Sequence, residues 1–237
     1  MDRIAPTRRP ARRVQGTQRW HELLFSHWEI PASVLRPLVP AALELDTFEG
    51  RCFVGVVAFT MQNVRPLRWA PPLPGAREFG EINLRTYVHH RETEPGVFFF
   101  SLDAASSLVV WAARTFWGLP YFRADVSAHA EGADYRYRST RGATRFEASA
   151  RVGAPLAAAA PDSLEYFLCE RYQFYAERRG RLQRARVHHA AYPLHAVAEA
   201  DVSPALLRAA GLPSDGPMTN HLFSPGVDVE VFALEDV

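Results

Sequence analysis

Short apolar runs and segments that alternate between apolar and polar residues recur along this chain of 237 residues. Alternation with a period of two indicates a half-buried β-strand, and a short apolar run bounded by turn residues is typical of a buried one. The pattern predicts strands over 20–28, 51–61, 81–89, 97–102, 135–141, 144–151, from near 172 to the turn at 179–180, 181–189 and 227–234. The segments 135–141 and 144–151 form a hairpin across Gly142, and four prolines between 66 and 75 predict a loop there.

Helical spacing is confined to a few short segments. The clearest is 104–117, where Ala105, Leu108, Val109, Ala112 and Phe116 recur on one face and Asp103 is placed to cap the start. The other predicted helices lie over 31–38, from Ser163 onward after a D-x-x-E capping signal, and over 203–210. Many strands and few helices indicate an α+β protein that is predominantly β, with a closed or nearly closed antiparallel sheet and short helices packed on it.

One domain accounts for most of the chain. No internal repeat or long linker interrupts 17–237, and 48% of all residues are hydrophobic, enough for a sizeable core. The first 16 residues are different in character, because they are rich in Arg and lack the apolar stretch of an export signal. We expect them to form a flexible, solvated arm.

Charge and cysteine content narrow the function classes. The 27 basic and 26 acidic residues give a net charge of +1, so we expect no general attraction to nucleic acid or anionic membrane. No apolar stretch approaches the length of a membrane helix, and we expect a soluble, cytoplasmic protein. Cys52 and Cys169 lack metal-site spacing, so two buried thiols are favoured, although a disulfide stays open.

The basic residues are all Arg, and the chain contains no lysine. Arg stays charged near neutral pH, whereas the amine of lysine can be tuned to act as a nucleophile. The α-amine of Met1 is therefore the primary amine that remains.

Residues 114–124 read RTFWGLPYFRA. This segment resembles the signature of acetoacetate decarboxylases, in which an Arg is followed by Gly-Phe-Pro-Lys-Lys and an Ala; Arg114, Gly118, Pro120 and Ala124 fall on their counterparts without a gap. Glu81 also lies at about the separation of that family's active-site glutamate. The resemblance implies an acetoacetate decarboxylase-like fold with Glu81 in its cavity.

A more extensive resemblance is to the uncharacterised YqjF-like family, placed in the same fold superfamily. The matching stretches occur in order over most of 17–200: 20–28 (WHELLFSHW), 35–46 with Gly50, 81–88, 99–104, 118–121 and 164–172 (LEYFLCERY). This family carries no assigned function, so the resemblance implies a fold and a cavity rather than a reaction.

The departures from the decarboxylase signature exclude its chemistry. Tyr121 stands where those enzymes carry the lysine that forms the Schiff base, and Phe122 stands at the neighbouring lysine, whose charge lowers its partner's pKa; that enzyme is a standard example of this effect. A phenol and a phenyl ring cannot form an imine. We therefore expect the fold without the decarboxylase reaction.

The polar face of the segment 81–89 carries the main candidates. By strand parity Glu81, Asn83, Arg85 and Tyr87 point to one side, which is either a solvated sheet face or a cavity lining. The resemblance favours the cavity. There Glu81 could act as a general acid or base if burial raises its pKa, and Arg85 could either neutralise Glu81 or bind a substrate carboxylate.

Tyr121 follows a turn-like Gly-Leu-Pro and could donate a hydrogen bond to a developing oxyanion, or be a packed aromatic residue. Other candidate binding residues each have a structural alternative. Arg114 fits a helix end, Arg171 fits an ion pair with Glu170, and His27 fits a structural histidine in an aromatic strand; Arg123 is a further candidate for orienting an acid group.

A metal site is not expected. His188 and His189 are adjacent on a strand and point to opposite faces, and neither they nor His195 have a carboxylate or thiol at a recognised ligand spacing. No phosphate-binding loop, dinucleotide fingerprint or nucleophile elbow is present, so we expect no cofactor.

Two functions remain open. In the first, the protein is a cofactor-independent enzyme (an isomerase, a dehydratase or a lyase without an imine) that moves a proton on a small oxo- or carboxylate-bearing metabolite. Glu81 and Tyr121 would be catalytic, and the binding residues would be Asn83, Arg85, Arg114, Arg123, Arg171 and His27. In the second, it is a non-catalytic protein that kept the pocket and binds a small ligand. Either form could be a homo-oligomer.

Overall fold

The computed structural model describes residues 1–72, 77–92, 94–178, 180–216 and 218–237. Its strands are β1 Gly16–Glu29, β2 Glu44–Leu45, β3 Phe53–Arg65, β4 Glu78–His89, β5 Gly96–Ala104, β6 Tyr121–Arg123, β7 Asp125–Glu131, β8 Asp134–Arg141, β9 Thr144–Pro155, β10 Gln173–Arg178, β11 Arg181–His188, β12 His195–Val202, β13 Met218–Val231 and β14 Glu235–Asp236. Its helices are α1 Ala32–Leu35, α2 Ser107–Ala112, α3 Leu164–Cys169 and α4 Ala205–Ala209, with 3₁₀ turns at Ala5–Thr7 and Arg36–Leu38 and a π-helical turn at Ala113–Trp117.

The described strands belong to one large sheet that curls into a nearly closed ring. Its path runs β11–β10–β5–β4–β3–β1–β13, and β13 then pairs with β11 through Val187 opposite Val231 and His188 opposite Glu230. The fold is therefore predominantly β with a nearly closed sheet and a few short helices, as the sequence predicts. The sheet is mixed rather than wholly antiparallel, because β5 runs parallel to both β10 and β6.

The rest of the sheet forms an outer layer over part of this ring. Strands β12, β9, β8 and β7 continue from β13, and β7 returns across β4. The backbones approach so closely that a Cβ added at Gly80 of β4 would lie 2.7 Å from a methyl group of Val126 on β7. A residue with a side chain at position 80 would push β7 off the ring, which accounts for glycine at this crossing.

This layering gives the ring wall two buried faces. Inside the ring, Phe25, Phe59 and Leu102 pack with residues of α2 and α3 in one apolar core. Outside it, Ile82 and Leu84 of β4 pack against β8, β9 and α4 in a second core. Because β4 lies between the cores, both of its alternating faces are buried, and its polar face points to the interior of the ring rather than to solvent.

The predicted strands and the hairpin across Gly142 are present. Arg179, at the predicted turn between β10 and β11, lies outside the described residues, as do 73–76 in the proline-rich loop. The prediction for 104–117 was wrong in its start and its buried face. Residues 103 and 104 extend β5, Ser106 rather than Asp103 caps α2, and Leu108 and Phe116 are exposed. The segment changes from an α-helix to a π turn, which rotates the later side chains off the first face.

The Arg-rich N-terminal segment lies against the domain. Arg9 pairs with Glu230, Arg3 pairs with the buried Asp46, and the Arg186 guanidinium donates to the backbone oxygens of Pro6 and Arg8. Its Arg8, Arg9, Arg12 and Arg13 are exposed, in line with a solvated segment. Its flexibility stays a prediction.

Cys52 and Cys169 are buried free thiols, as the sequence favours. None of the helices in the described ranges is long and apolar enough to cross a membrane.

Candidate functional site

The polar residues of β4 form a row along the inner wall of the ring. Glu81, Asn83 and Arg85 alternate with residues of the outer core, so their side chains point inward and are buried. Each is flanked by apolar residues on the neighbouring strands; Asn83, for example, lies opposite Val57 of β3 and Leu102 of β5. The row is thus a polar strip set in an apolar wall.

This strip lines an internal cavity of about 190 Å³. Its apolar walls include Phe25, Val57, Phe59, Leu102, Val109 and Leu119. Near the beginning of β1 and the end of β3 it is bordered by Gln18, Arg65 and Pro66, which are partly or largely exposed. A concave, mainly apolar cavity with a few convergent polar groups is the usual form of a small-molecule site.

Glu81 and Tyr121 face each other at one end of the polar strip. The Tyr121 hydroxyl donates a hydrogen bond of 2.7 Å to Oε2 of Glu81, and both side chains are buried. Burial raises the pKa of Glu81 to about 7, although hydrogen bonding by Tyr121 and Asn83 favours the carboxylate and opposes the rise. Burial, together with the charge of Glu81, raises the pKa of Tyr121 well above its ordinary value. Near neutral pH, Glu81 is therefore poised between its two forms beside a neutral phenol.

The turn before β6 places Tyr121 in the cavity. Gly118 ends the π turn with φ of 65°, a left-handed conformation that glycine adopts without strain. The chain then enters β6 parallel to β5, with Tyr121 opposite Leu102. The next residue, Phe122, points the other way and lies under the guanidinium of Arg141, 4.1 Å from its ring centre. Of the two positions where the decarboxylase signature has lysine, one thus faces the cavity and the other the outside.

Arg85 lies further along the strip and carries a buried charge without an acidic partner. Its Nη2 donates to the backbone oxygen of Leu168 at 3.1 Å, whereas its Nε has no hydrogen-bond acceptor in the part of the chain that the structure describes. Among the described residues it forms no salt bridge, so it does not neutralise Glu81. The guanidinium instead lies 5.8 Å from the ring centres of Phe25 and Tyr87.

Arg171 reaches the same part of the cavity from the chain after α3. Its Nη1 pairs with Oδ2 of Asp46 at 2.7 Å and its Nε donates to the backbone oxygen of Phe167, while Nη2 has no acceptor. Of the two alternatives for Arg171, the structure shows it lining the cavity, and its carboxylate partner is Asp46 rather than Glu170. Glu170 instead accepts from the Tyr172 hydroxyl and the Tyr192 backbone, because side chains of adjacent residues diverge at the helix end.

His27 lies on the same inward face of β1 as Phe25 but beyond the cavity lining, where it supports Tyr87. It is completely buried, and burial, with a smaller contribution from the Arg85 charge, lowers its pKa well below the ordinary value. The Tyr87 hydroxyl donates to the Leu168 backbone oxygen at 2.9 Å, so its oxygen accepts from Nε2 of His27 at 2.8 Å. His27 therefore fixes Tyr87, over whose ring the two guanidiniums lie.

The structure leaves Arg114 and Arg123 outside the cavity, contrary to the sequence prediction. Arg114 is exposed on the π turn. Arg123 ends the three-residue β6, where its exposed guanidinium turns away to donate to Ser107 at the start of α2. By strand alternation, Arg123 would share the face of Tyr121. Arg123 is the last residue of β6, however, and its guanidinium bonds to Ser107 instead of entering the cavity.

Sequence reasoning missed Asp46 as the partner that orients Arg171, and Gln173 and Trp117 as cavity residues. Asp46 lies 125 positions from Arg171, so no local pattern connects them. Within the described ranges, no group of three His, Cys, Asp or Glu residues is placed to hold a metal ion.

Comparisons with known proteins agree with this architecture. The model of DUF2071, a family described as an uncharacterized conserved protein, matches residues 17–228. The uncharacterized protein YqjF of Bacillus subtilis (strain 168) is 44% identical over 190 residues, which are 78% of this chain and 77% of that protein.

Solved structures extend the likeness to the fold. An acetoacetate decarboxylase from Legionella pneumophila subsp. pneumophila str. Philadelphia 1 matches with a TM-score of 0.69 at 15% identity, over 98% of this chain and 94% of its own. The enduracididine biosynthesis enzyme MppR complexed with pyruvate matches with a TM-score of 0.65 at 10% identity, over 95% of this chain and 91% of its own. Identities this low establish the shared fold alone.

Proposed function

Since this chain belongs to the DUF2071 family of uncharacterized conserved proteins and has an acetoacetate decarboxylase-like fold, we propose that its cavity binds a small oxo- or carboxylate-bearing metabolite and moves a proton on it without a cofactor. The observation that carries this proposal is the Glu81–Tyr121 pair, a buried carboxyl group with a pKa of about 7 bonded to a neutral phenol inside the cavity. MppR, a neighbour in fold alone, is complexed with pyruvate, an oxo acid, which supports the chemistry of the proposed ligand class.

The chemistry follows from the two groups. The Glu81 carboxylate takes a proton from the carbon next to a carbonyl group, the C–H electron pair becomes a C=C bond, and the carbonyl oxygen gains the negative charge. The Tyr121 hydroxyl then turns its hydrogen bond from Glu81 to that oxygen and stabilises the enolate. Protonated Glu81 returns the proton to the same carbon or, where the substrate has a C=C bond conjugated with the enolate, to the far carbon of that bond, which shifts the double bond. A base with a pKa near the working pH is well suited to this exchange.

The reaction needs no imine. Tyr121 occupies the cavity position where the decarboxylase signature carries its lysine, and the chain contains no lysine at all. An isomerase, a dehydratase or a lyase that works through an enolate fits these residues, whereas a Schiff-base decarboxylase does not.

Proton exchange at carbon tests the proposal directly. Pyruvate is incubated with the protein in deuterium oxide near neutral pH, and loss of its methyl proton signal is followed by NMR. We expect the wild-type protein to accelerate the exchange and Glu81→Gln to slow it about 100-fold or more. Glu131→Gln is the matched control because Glu131 is exposed at the end of β7. A ligand that stabilises the fold but is neither exchanged nor converted would identify a non-catalytic binding protein instead.

A further inference from the structure

The end of the cavity that is lined by Arg85 and Arg171, its inner end, carries more guanidinium groups than bonded carboxylates. Arg85 and Arg171 are both more than nine-tenths buried, and both line the cavity. Among the described residues, the one carboxylate bonded to these arginines is that of Asp46, which is shared between Arg171 and Arg3. Within this set, three guanidiniums face one bonded carboxylate.

Three buried N–H groups of these guanidiniums have no acceptor among the described residues: Nε of Arg3, Nε of Arg85 and Nη2 of Arg171. The last two belong to the arginines that line the cavity. Leaving a buried charged donor without a partner is costly, because neither water nor a protein oxygen replaces its lost hydration. The charge of Arg85 also acts on the surrounding groups, since it contributes to the lowered pKa values of His27 and His189. An anion placed between the Arg85 and Arg171 donors would satisfy both and reduce the excess charge.

The two guanidiniums lie far from Glu81 along β4. Positions 81 and 85 are four residues apart on one strand, so their Cα atoms are about 13 Å apart. Both guanidiniums lie over the ring of Tyr87, which is still further along β4, at 5.8 and 5.0 Å from its centre. The wall between the two ends is lined by Val57 and Leu102 on either side of Asn83.

We infer that the cavity takes an elongated carboxylate, with its anionic end between Arg85 Nε and Arg171 Nη2 and its apolar body directed along Val57 and Leu102 toward Glu81 and Tyr121. The reacting end rests on the proposed function, whereas the anion site stands on the two unpaired donors. The carboxylate held by the arginines is then remote from the proton-transfer pair and is retained in the product. Acids as short as pyruvate occupy one end of the cavity at a time.

Equilibrium binding to a graded set of acids tests this site. The probes are straight-chain methyl-ketone acids, from pyruvate through levulinate to longer homologues, each with its uncharged methyl ester. Trp20 and Trp117 line the cavity, so quenching of tryptophan fluorescence reports occupancy, and titration calorimetry checks the affinities. We expect affinity to rise with chain length beyond pyruvate, and each acid to bind more tightly than its ester.

Arg85→Met isolates the anion site. Methionine keeps most of the side-chain volume, and the Leu168 oxygen still accepts from Tyr87, so we expect the fold to melt at the same temperature or higher without ligand. We expect the acids to bind about 10- to 100-fold more weakly to this variant and the esters to bind equally well. Arg123→Met is the matched control because that guanidinium is exposed and outside the cavity, and it should bind both sets as the wild type does.

The outcomes separate this inference from the proposed function. We expect Glu81→Gln still to bind each acid more tightly than its ester, because Arg85 is unchanged. If acid binding depends on Arg85 but no proton is exchanged, the anion site is supported and the proposed enzymatic function is overturned. Equal affinity of acids and esters, equal affinity of Arg85→Met and the wild type for the acids, or no binding of any acid in the set would overturn the anion site. Pyruvate binding as tightly as its longer homologues would overturn the elongated ligand.

Discussion

The Tyr121 hydroxyl donates a 2.7 Å hydrogen bond to the buried carboxylate of Glu81. Glu81 reaches this contact from β4 and Tyr121 from β6, and β5 separates the two strands. The pair combines a group that can exchange a proton near neutral pH with one that keeps its own proton. Its position in the cavity, rather than the fold, is what makes an enolate reaction chemically reasonable for this chain.

The raised pKa of Glu81 predicts a pH-dependent stability difference between the wild type and Glu81→Gln. The folded protein keeps the Glu81 proton up to a pH of about 7, whereas the unfolded chain loses it near its ordinary value of 4.5. The folded state therefore binds more protons between these values, and its free energy of unfolding falls as pH rises through that window. Glutamine does not titrate, so Glu81→Gln should gain up to about 3 kcal/mol relative to the wild type across it.

Urea unfolding at a series of pH values measures this difference. The gain should begin above a pH of about 4.5 and level off above about 7. Glu131→Gln, on the exposed end of β7, should follow the wild-type curve at every pH. A difference between Glu81→Gln and the wild type that stays constant over the window would show that burial does not perturb Glu81.

Strand parity predicted which side chains of β4 lie together on one face of the candidate site, but it could not predict that this face is buried. The alternation from Glu81 to Arg85 assigns these side chains to one face, which is the face that lines the cavity. Parity cannot say whether a face meets solvent. That is decided by the curling of the sheet into a ring and by the return of β7 across β4, which buries the opposite face with Ile82.

The remaining errors arise where contacts are distant in sequence or where an element ends. For Arg171 the sequence left open an ion pair with the neighbouring Glu170, but the carboxylate that binds Arg171 is that of Asp46, which is distant in sequence. Asp103 looked like a helix cap because a helical pattern follows it, yet it belongs to β5 and accepts from Ser139 and Arg141. The contacts of Asp103 depend on the packing of β8 against β5, which no local sequence pattern encodes.

Tyr121→Phe should destabilise the protein more at high pH than at low pH. The phenol stabilises the carboxylate form of Glu81, so removing its hydrogen bond raises the pKa of that carboxyl group further. We expect a loss of about 1–3 kcal/mol above pH 8, where Glu81 is charged, and a smaller loss below pH 5. Tyr135→Phe is the control, because it keeps the ring that packs on Phe223 and leaves the Tyr121–Glu81 hydrogen bond intact, so we expect no such pH-dependent loss. Unfolding curves that shift equally at both pH values would contradict the proposed pairing.

Gly55→Ala should disturb the inner end of the cavity. A Cβ at position 55 would lie 2.9 Å from Cδ2 of His27 and 3.1 Å from the Tyr87 hydroxyl, closer than packed side chains allow. Because both groups are buried and joined by a hydrogen bond, we expect a loss of about 1–3 kcal/mol in the free energy of unfolding. Gly216→Ala is the matched control, since a Cβ there meets no atom closer than 4.0 Å. An unchanged melting temperature in Gly55→Ala would mean that His27 and Tyr87 can move apart freely.

Borohydride trapping should detect no imine at any internal residue. Reduction after incubation with acetoacetate or pyruvate fixes an adduct where a partly neutral amine has reacted, and the internal basic side chains here are Arg and His. Arg keeps its proton to a pH of about 12 or higher, so it forms no imine under these conditions. The Met1 amine is exposed and belongs to the N-terminal segment, so peptide mass spectrometry should find at most a slow adduct there.

Tyr121→Lys supplies the matched comparison for trapping. It places an amine beside Glu81 in the cavity, where burial favours the neutral form of lysine against the opposing effect of the Glu81 charge, so an adduct can form. We expect trapping at position 121 in this variant and none there in the wild type. A stoichiometric internal adduct in the wild type, or a decarboxylation that stops when Met1 is blocked, would refute the enolate proposal, because either result requires an electron sink that Glu81 and Tyr121 do not provide.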